Sequence, residues 1–145
     1  MGLKQVRTAL VTAVKDVLEA APLSLPEDRF GAENMPTPAQ GGDWCRFVML
    51  LPNRPVAWTL GAGGDDVFNG LLMAELHTPL DQGAAFGLSA LDAVRSALPA
   101  GKRLTFEGQE VQVVNIGADT GRVFDLWYRT DIKVQFRAYV QRGGV

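Results

Sequence analysis

Phe68-Asn69-Gly70-Leu71-Leu72-Met73-Ala74-Glu75-Leu76-His77-Thr78, then Pro79-Leu80-Asp81-Gln82-Gly83, then Ala84 to Leu98, carries the architecture of this chain. The first segment reads as a strand and the second as a turn. The third places Ala84, Leu88, Leu91, Val94 and Leu98 at spacings of four, three, three and four. That is one face of a 3.6-residue period, so an amphipathic helix is expected. A strand feeding a helix that folds back on its sheet implies an α+β domain. The expected form is a mixed, mostly antiparallel twisted sheet with two helices on one face, in the order α-β-β-β-α-β-β-β.

The first helix is expected over residues 3–20, where Leu3, Val6, Leu10, Val14 and Val17 repeat at helical spacing. Pro22 ends it, because its ring disfavours helix in the preceding residue. Residues 22–43 hold Pro22, Pro26, Pro36, Pro38, Gly41 and Gly42. Such a stretch is long for a structureless connection. It reads either as a floppy loop or as an extended arm gripping a neighbouring subunit, with one short strand near Arg29-Phe30. Trp44 to Leu51 is nearly apolar on both faces, which suits a central strand. Val56 to Leu60 continues as a strand, and Gly61 to Asp66 forms a flexible tip.

Beyond the second helix, Arg103–Phe106 and Gln109–Ile116 flank Glu107-Gly108, which suits a hairpin. Val123 to Val140 is the last β-pattern. It places Ile132, Val134, Phe136 and Ala138 on a core face and Asp131, Lys133, Gln135 and Arg137 on a wet one. Its length calls for a bend or bulge near Tyr128 to Thr130. Residues 141–145 are expected to fray.

Length and composition set the outer bounds. The 145 residues fit one domain, 1–145, with enough chain to bury a self-standing core. A hydrophobic share of 47% and a charged share of 21% argue against disorder. The formal charge is −2, without a dense basic patch, so no specific nucleic-acid surface is expected. Lys15, Asp16 and Glu19 interrupt what would be the apolar region of a signal peptide, so none is expected. No apolar run is long enough to span a membrane, so no membrane partner is expected and the cytosol is the expected compartment.

The chemical motifs are sparse. His77 is the single histidine and Cys45 the single cysteine, so multi-histidine metal sites and internal disulfides are excluded. Glu75 and His77 lie two apart on one strand and share a face. An acid/base pair is one reading and a surface pair the other, because no third orienting group is evident. Cys45 reads as a packed thiol. Gly61 to Asp66 resembles a phosphate loop only superficially: its last position is Asp, and a strand follows where a helix is needed. Asp65, Asp66 and Asp81 lack calcium-loop spacing. No catalytic residue, cofactor or metal site is expected. Trp44, Trp58 and Trp127 lie in or beside strands, where tryptophan packs a core or an interface. Trp127-Tyr128 is the leading interface anchor, with a core role for Trp127 equally open.

The order of landmarks resembles a known family. A helix ending in Ala-Pro precedes a Pro-rich arm with Phe30 and Met35-Pro36-Thr37-Pro38. The strand Trp44-Cys45-Arg46-Phe47-Val48 follows. A Gly70-containing strand then ends in Thr78-Pro79, with Gly83 before a helix. A Leu104-Thr105-Phe106-Glu107-Gly108 hairpin and a Leu126-Trp127-Tyr128 strand complete the pattern. The chain is similar to the tail terminator-like (minor tail) proteins of long-tailed bacteriophages and prophages.

That resemblance implies a structural virion protein with no enzymatic activity. It implies a ring, typically of six copies, that caps the tail tube, ends tube polymerisation and presents the head-joining surface. The implied partners are other copies of itself, the tail tube protein and a head-completion protein. The implied locations are the virion tail and, during assembly, the host cytoplasm. Phe30, Met35, Trp58, Trp127 and Tyr128 are the candidate subunit contacts, and Asp65 and Asp66 the candidates for the lumen or rim. A head-tail neck or connector completion protein shares these features. A small ligand-binding or hydrolytic α+β domain, with polar groups gathered around His77, Glu75 and Cys45, is the rival from another class. A cellular regulator with no phage link is a third reading.

Overall fold

The computed structural model describes residues 2–32, 42–52, 54–80, 84–118, 121–124 and 127–143. Two strands of 15 residues, β4 (Asp65–Pro79) and β8 (Trp127–Gln141), form its spine. They pair antiparallel without a break from Asp65↔Gln141 to Pro79↔Trp127. The remaining elements, in chain order, are α1 (Leu3–Glu19), a 3-10 turn (Glu27–Arg29), β1 (Phe30–Ala32), β2 (Trp44–Leu50), β3 (Val56–Ala57), α2 (Ala85–Ala97), β5 (Arg103–Phe106), β6 (Gln109–Ala118) and β7 (Arg122–Phe124). The strands run β1-β2-β4-β8-β6-β5 across one sheet, with β3 added to β4 and β7 to β8. Among the described strands only β1 against β2 is parallel, so the expected mixed, mostly antiparallel sheet is observed.

Alternation along the spine sorts the side chains. Leu72, Ala74 and Leu76 of β4 share one face with Ile132, Val134 and Phe136 of β8, and all six are fully buried. Cys45 and Phe47 of β2 and Val111 and Val113 of β6 extend that face. Both helices cover it. α1 contributes Val6, Leu10, Val14 and Leu18, each wholly buried at i, i+4, i+8 and i+12. α2 contributes Ala90 and Val94, followed by Leu98. Its apolar face is rotated from the expected one: Leu88 is exposed, and Gly87 is buried in its place. A Cβ at Gly87 would stand 2.5 Å from Oγ1 of Thr130. The helix therefore approaches β8 through a residue with no side chain, which a hydrophobic period cannot reveal.

The hairpin at Glu107-Gly108 is as expected. Its two residues hold φ of 49° and 81°, and Phe106 pairs with Gln109 across them. Two positive φ values match the twist a two-residue loop needs.

Several boundaries differ from the sequence reading. β4 begins at Asp65, so Asp65 and Asp66 are strand residues and not part of a loose tip. The expected strand over 56–60 reduces to the two-residue β3. The long pattern over 123–140 is two strands folded on each other, with Val123 opposite Tyr128. β8 runs straight through Tyr128 to Thr130, and the register shift falls in β6, between Val113 and Asn115. Arg142, expected to fray, is tied to the backbone carbonyls of Thr59, Gly61 and Asp65 and to the carboxylate of Asp66.

Parts of the Pro-rich segment 22–43 are described, and they make contacts within the chain. Leu25 is buried, and its N–H donates to the Leu18 carbonyl. The Arg29 guanidinium donates to the carbonyls of Asp43 and Gly42, both at 3.0 Å. The start of the segment is thus tied to α1, and Arg29 ties its two described parts to each other just before β2. Met35, Pro36 and Pro38 lie outside the described residues.

Candidate functional site

Glu75 and His77 of β4 point to the sheet face opposite the helices, with Trp44 and Arg46 of β2 and Arg129 and Asp131 of β8 beside them. Period-two alternation predicts wet side chains there, yet Glu75, His77 and Asp131 are buried. This corrects both the expected surface pair and the expected wet position at Asp131. The reason is a charge cluster that covers itself. Arg129 donates to both carboxylate oxygens of Asp131, at 2.7 and 3.2 Å, and to Glu75 at 3.0 Å. Arg122 on β7 approaches Asp131 at 3.6 Å. One bidentate and one single contact bring a cation to two buried anions, the arrangement that makes charge burial tolerable.

Aromatic rings close the rest of this end of the sheet. Trp44 stacks on His77 with ring centroids 3.9 Å apart, and Trp127 meets Trp44 edge-on at 6.1 Å. The Arg46 guanidinium lies over the Trp44 ring. His77 Nδ1 is 3.0 Å from the Glu75 carbonyl, which can only accept, so Nδ1 carries the proton. Trp44 Nε1–H is buried with no acceptor among the described residues.

Burial lowers the His77 pKa to about 4; the Glu75 carbonyl contact opposes this, and Arg129 and Arg46 add to it. Burial raises that of Glu75, while Arg129 pulls it back. A histidine kept neutral in the folded chain binds a proton more readily when unfolded. Stability is therefore lost as pH falls from about 6.5, the ordinary histidine value, toward about 4. Glu75 works the other way, since its protonation is eased by folding. We expect the melting temperature to fall across that window, and the fall to be shallower in His77→Gln. Superimposable pH profiles for the two chains would refute the assignment.

Cys45 faces away from this cluster, into the core, opposite Leu76. Burial raises its pKa, with Glu75 adding to the shift. Thiol and imidazole thus sit on opposite faces of the sheet, so they do not form a nucleophile–base pair. Two surface grooves, of about 360 and 460 Å³, lie elsewhere. Arg103, Gln112 and Arg137 line the first, and Asp92, Arg95 and Asn115 the second. Neither includes His77, Glu75 or Cys45. Among the described residues, no group of three or more metal-ligating side chains assembles. No described helix is long and apolar enough to cross a membrane.

The surface candidates divide into two kinds. Phe30 is half-buried and stacked on Phe47 at 5.8 Å, with Lys15 over its ring. Trp127 and Tyr128 are half-buried; the carbonyl of Tyr128 accepts from Thr78 Oγ1 at 3.1 Å. Trp58 is the outward one, resting edge-on against Tyr139 at 5.4 Å. Asp66 is neutralised by Arg142, and Asp65 is half-buried beside it. The sequence reading missed Val56, Leu60, Leu88, Val123 and Tyr139, all exposed. For Leu60 and Val56 the signal was present: apolar residues in a Gly/Pro-flanked stretch too short to form a buried strand.

A family model described as phage tail terminator protein matches residues 5–136. The search of curated proteins finds no match. Among solved structures, one bearing only a sequence label is 19% identical, with 95% of this chain and 96% of that one covered and a TM-score of 0.70. A chain from the virion of a native gene transfer agent particle is 20% identical, covering 92% and 96%, with a TM-score of 0.48.

Proposed function

We propose, on the premise that this chain belongs to the phage tail terminator family, that it is a structural component of the tail which caps the tail tube as a ring. The family match over residues 5–136 carries the reading. In this reading the ring, of about six copies as the resemblance suggests, ends tube polymerisation and offers the surface on which a head-completion protein docks. It works by shape and performs no bond chemistry. The placement of Cys45 and His77 on opposite sheet faces supports this over a hydrolytic domain. The exposed Val56, Trp58 and Leu60 support a chain whose surface is completed by other proteins. Within the ring, Asp65 and Asp66 face the lumen or rim. Asp65 carries most of the repulsion toward passing DNA, because Arg142 offsets the charge of Asp66.

Tail tube protein polymerising in the presence of the purified chain tests the proposal. We expect shorter tubes with a capped end in negative-stain images. Unchanged tube lengths and bare ends would overturn it.

A further inference from the structure

Large apolar side chains are exposed at both ends of the β4–β8 spine. At one end Val56, Trp58, Leu60 and Tyr139 are between 42% and 90% exposed. They form one neighbourhood. Val56 pairs with Val67, Val67 pairs with Tyr139, and the Trp58 ring touches Tyr139. The Trp58 N–H is also held by the Asp65 carbonyl at 2.8 Å, which fixes the hairpin that presents these residues. At the other end Leu80, Leu88 and Val123 are 37% to 66% exposed. Leu80 follows the last residue of β4. Val123 pairs with Tyr128 at the start of β8, and Leu88 adjoins Gly87, which rests on Thr130. The 11 residue steps from Tyr139 to Tyr128 on β8, at about 3.3 Å each, put roughly 36 Å between the two groups.

Two different patches at opposite ends of one molecule favour a particular kind of contact. The first patch lies with Tyr139 on the sheet face away from the helices and the second lies beside α2 on the helix side, so a single two-fold contact does not turn both toward one partner. A head-to-tail contact buries both and repeats from copy to copy. The areas agree. With aromatic side chains burying about 150–250 Å² each, the two patches together expose on the order of 700 Å². A standard interface of about 1,600 Å² is a little over half apolar, which is roughly 900 Å². The apolar surface on this chain supplies most of one such contact.

We propose that the occupant of each patch is a second copy of this chain: the hairpin bearing Val56, Trp58 and Leu60 seats on the Leu80, Leu88 and Val123 surface of the next copy. The inference rests on the proposed ring and names the surfaces that would build it.

Cysteine cross-linking tests it, since Cys45 is buried and does not compete. The double variant Leu60→Cys/Leu88→Cys should give a ladder of disulfide-linked oligomers, and each single variant should stay monomeric. Trapping catches transient encounters, so no ring stable in isolation is needed. A mixture of Leu60→Cys/Val123→Asp with Leu88→Cys/Trp58→Asp should yield covalent dimers and nothing longer, because each chain keeps one intact patch. All the altered side chains are exposed, and unchanged melting temperatures would confirm that every variant folds. Disulfide dimers of the single Leu60→Cys variant, or a double variant that stays monomeric alone and with tail tube protein, would overturn the assignment. Tube lengths measured with the wild-type chain separate this failure from a failure of the capping role.

Discussion

Replacing Arg129 by Met is expected to lower the melting temperature by about 10–15 °C. The guanidinium is the direct partner of both Glu75 and Asp131, which are buried on the sheet face away from the helices. Removing it leaves two buried carboxylates without a direct hydrogen-bonding cation: Arg122 stands 3.6 Å from Asp131, and Arg46 and Arg122 act on Glu75 through their charge. Breaking a buried pair by deleting one partner costs about 3–5 kcal/mol. At about 2–4 °C per kcal/mol for a domain near this size, the stated drop follows. The cause is separable from lost packing. The triple variant Arg129→Met/Glu75→Gln/Asp131→Asn removes the stranded charges and should recover most of the loss. Thermal unfolding of the three chains decides the matter. A change of under about 3 °C in the single variant would show that the cluster is solvated, against its burial.

Phe136→Ala is expected to cost about 3–5 kcal/mol, the range for a large aromatic deleted from a packed core. Phe136 is wholly buried in β8 and pairs directly across from Gly70. Its ring fills the space above that glycine: a Cβ at position 70 would stand 2.8 Å from Cζ and 2.6 Å from the Leu50 carbonyl oxygen. Gly70 thus lets the ring and the end of β2 close over the spine. Truncating the ring opens a cavity where backbone, not a flexible side chain, forms one wall, so little can relax inward. Phe136→Leu retains most of the volume and should lose less than half as much. Chemical denaturation of both variants checks this, and equal losses for Ala and Leu would contradict the packing argument.

Periodicity reported the core well and the surface poorly. Val6, Leu10 and Val14 of the first helix, and Ile132, Val134, Phe136 and Ala138 of the last strand, are all buried as their spacing required. Leu88 failed because Gly87 brings α2 onto Thr130 and turns the helix by one position; close approach through a missing side chain leaves no hydrophobic trace. Asp131 failed because its burial depends on Arg129 and Arg122, one on its own strand and one on a strand folded back beside it. A polar residue at an alternating position reads as wet unless its partners are known. The split of 123–140 failed for a related reason, since the boundary between β7 and β8 falls inside a continuous β-rich run. Aromatic residues drew attention by type, and Trp58 is indeed outward, but Phe30 and Trp127 spend their rings on intramolecular stacking with Phe47 and Trp44.

The unbroken pairing of β4 with β8 makes the spine a measuring rod. In the proposed ring its length would set the step from one patch to the other, and its twist how far each successive copy is turned. Because side chains alternate with a period of two, the rod can be lengthened or shortened only in two-residue increments, applied to both strands together. A single-residue change would swap Phe136 and its neighbours with Arg137 and Gln135 across the sheet. In the ring proposed above, the circumference would therefore change only in increments set by the pleat, about 7 Å per subunit.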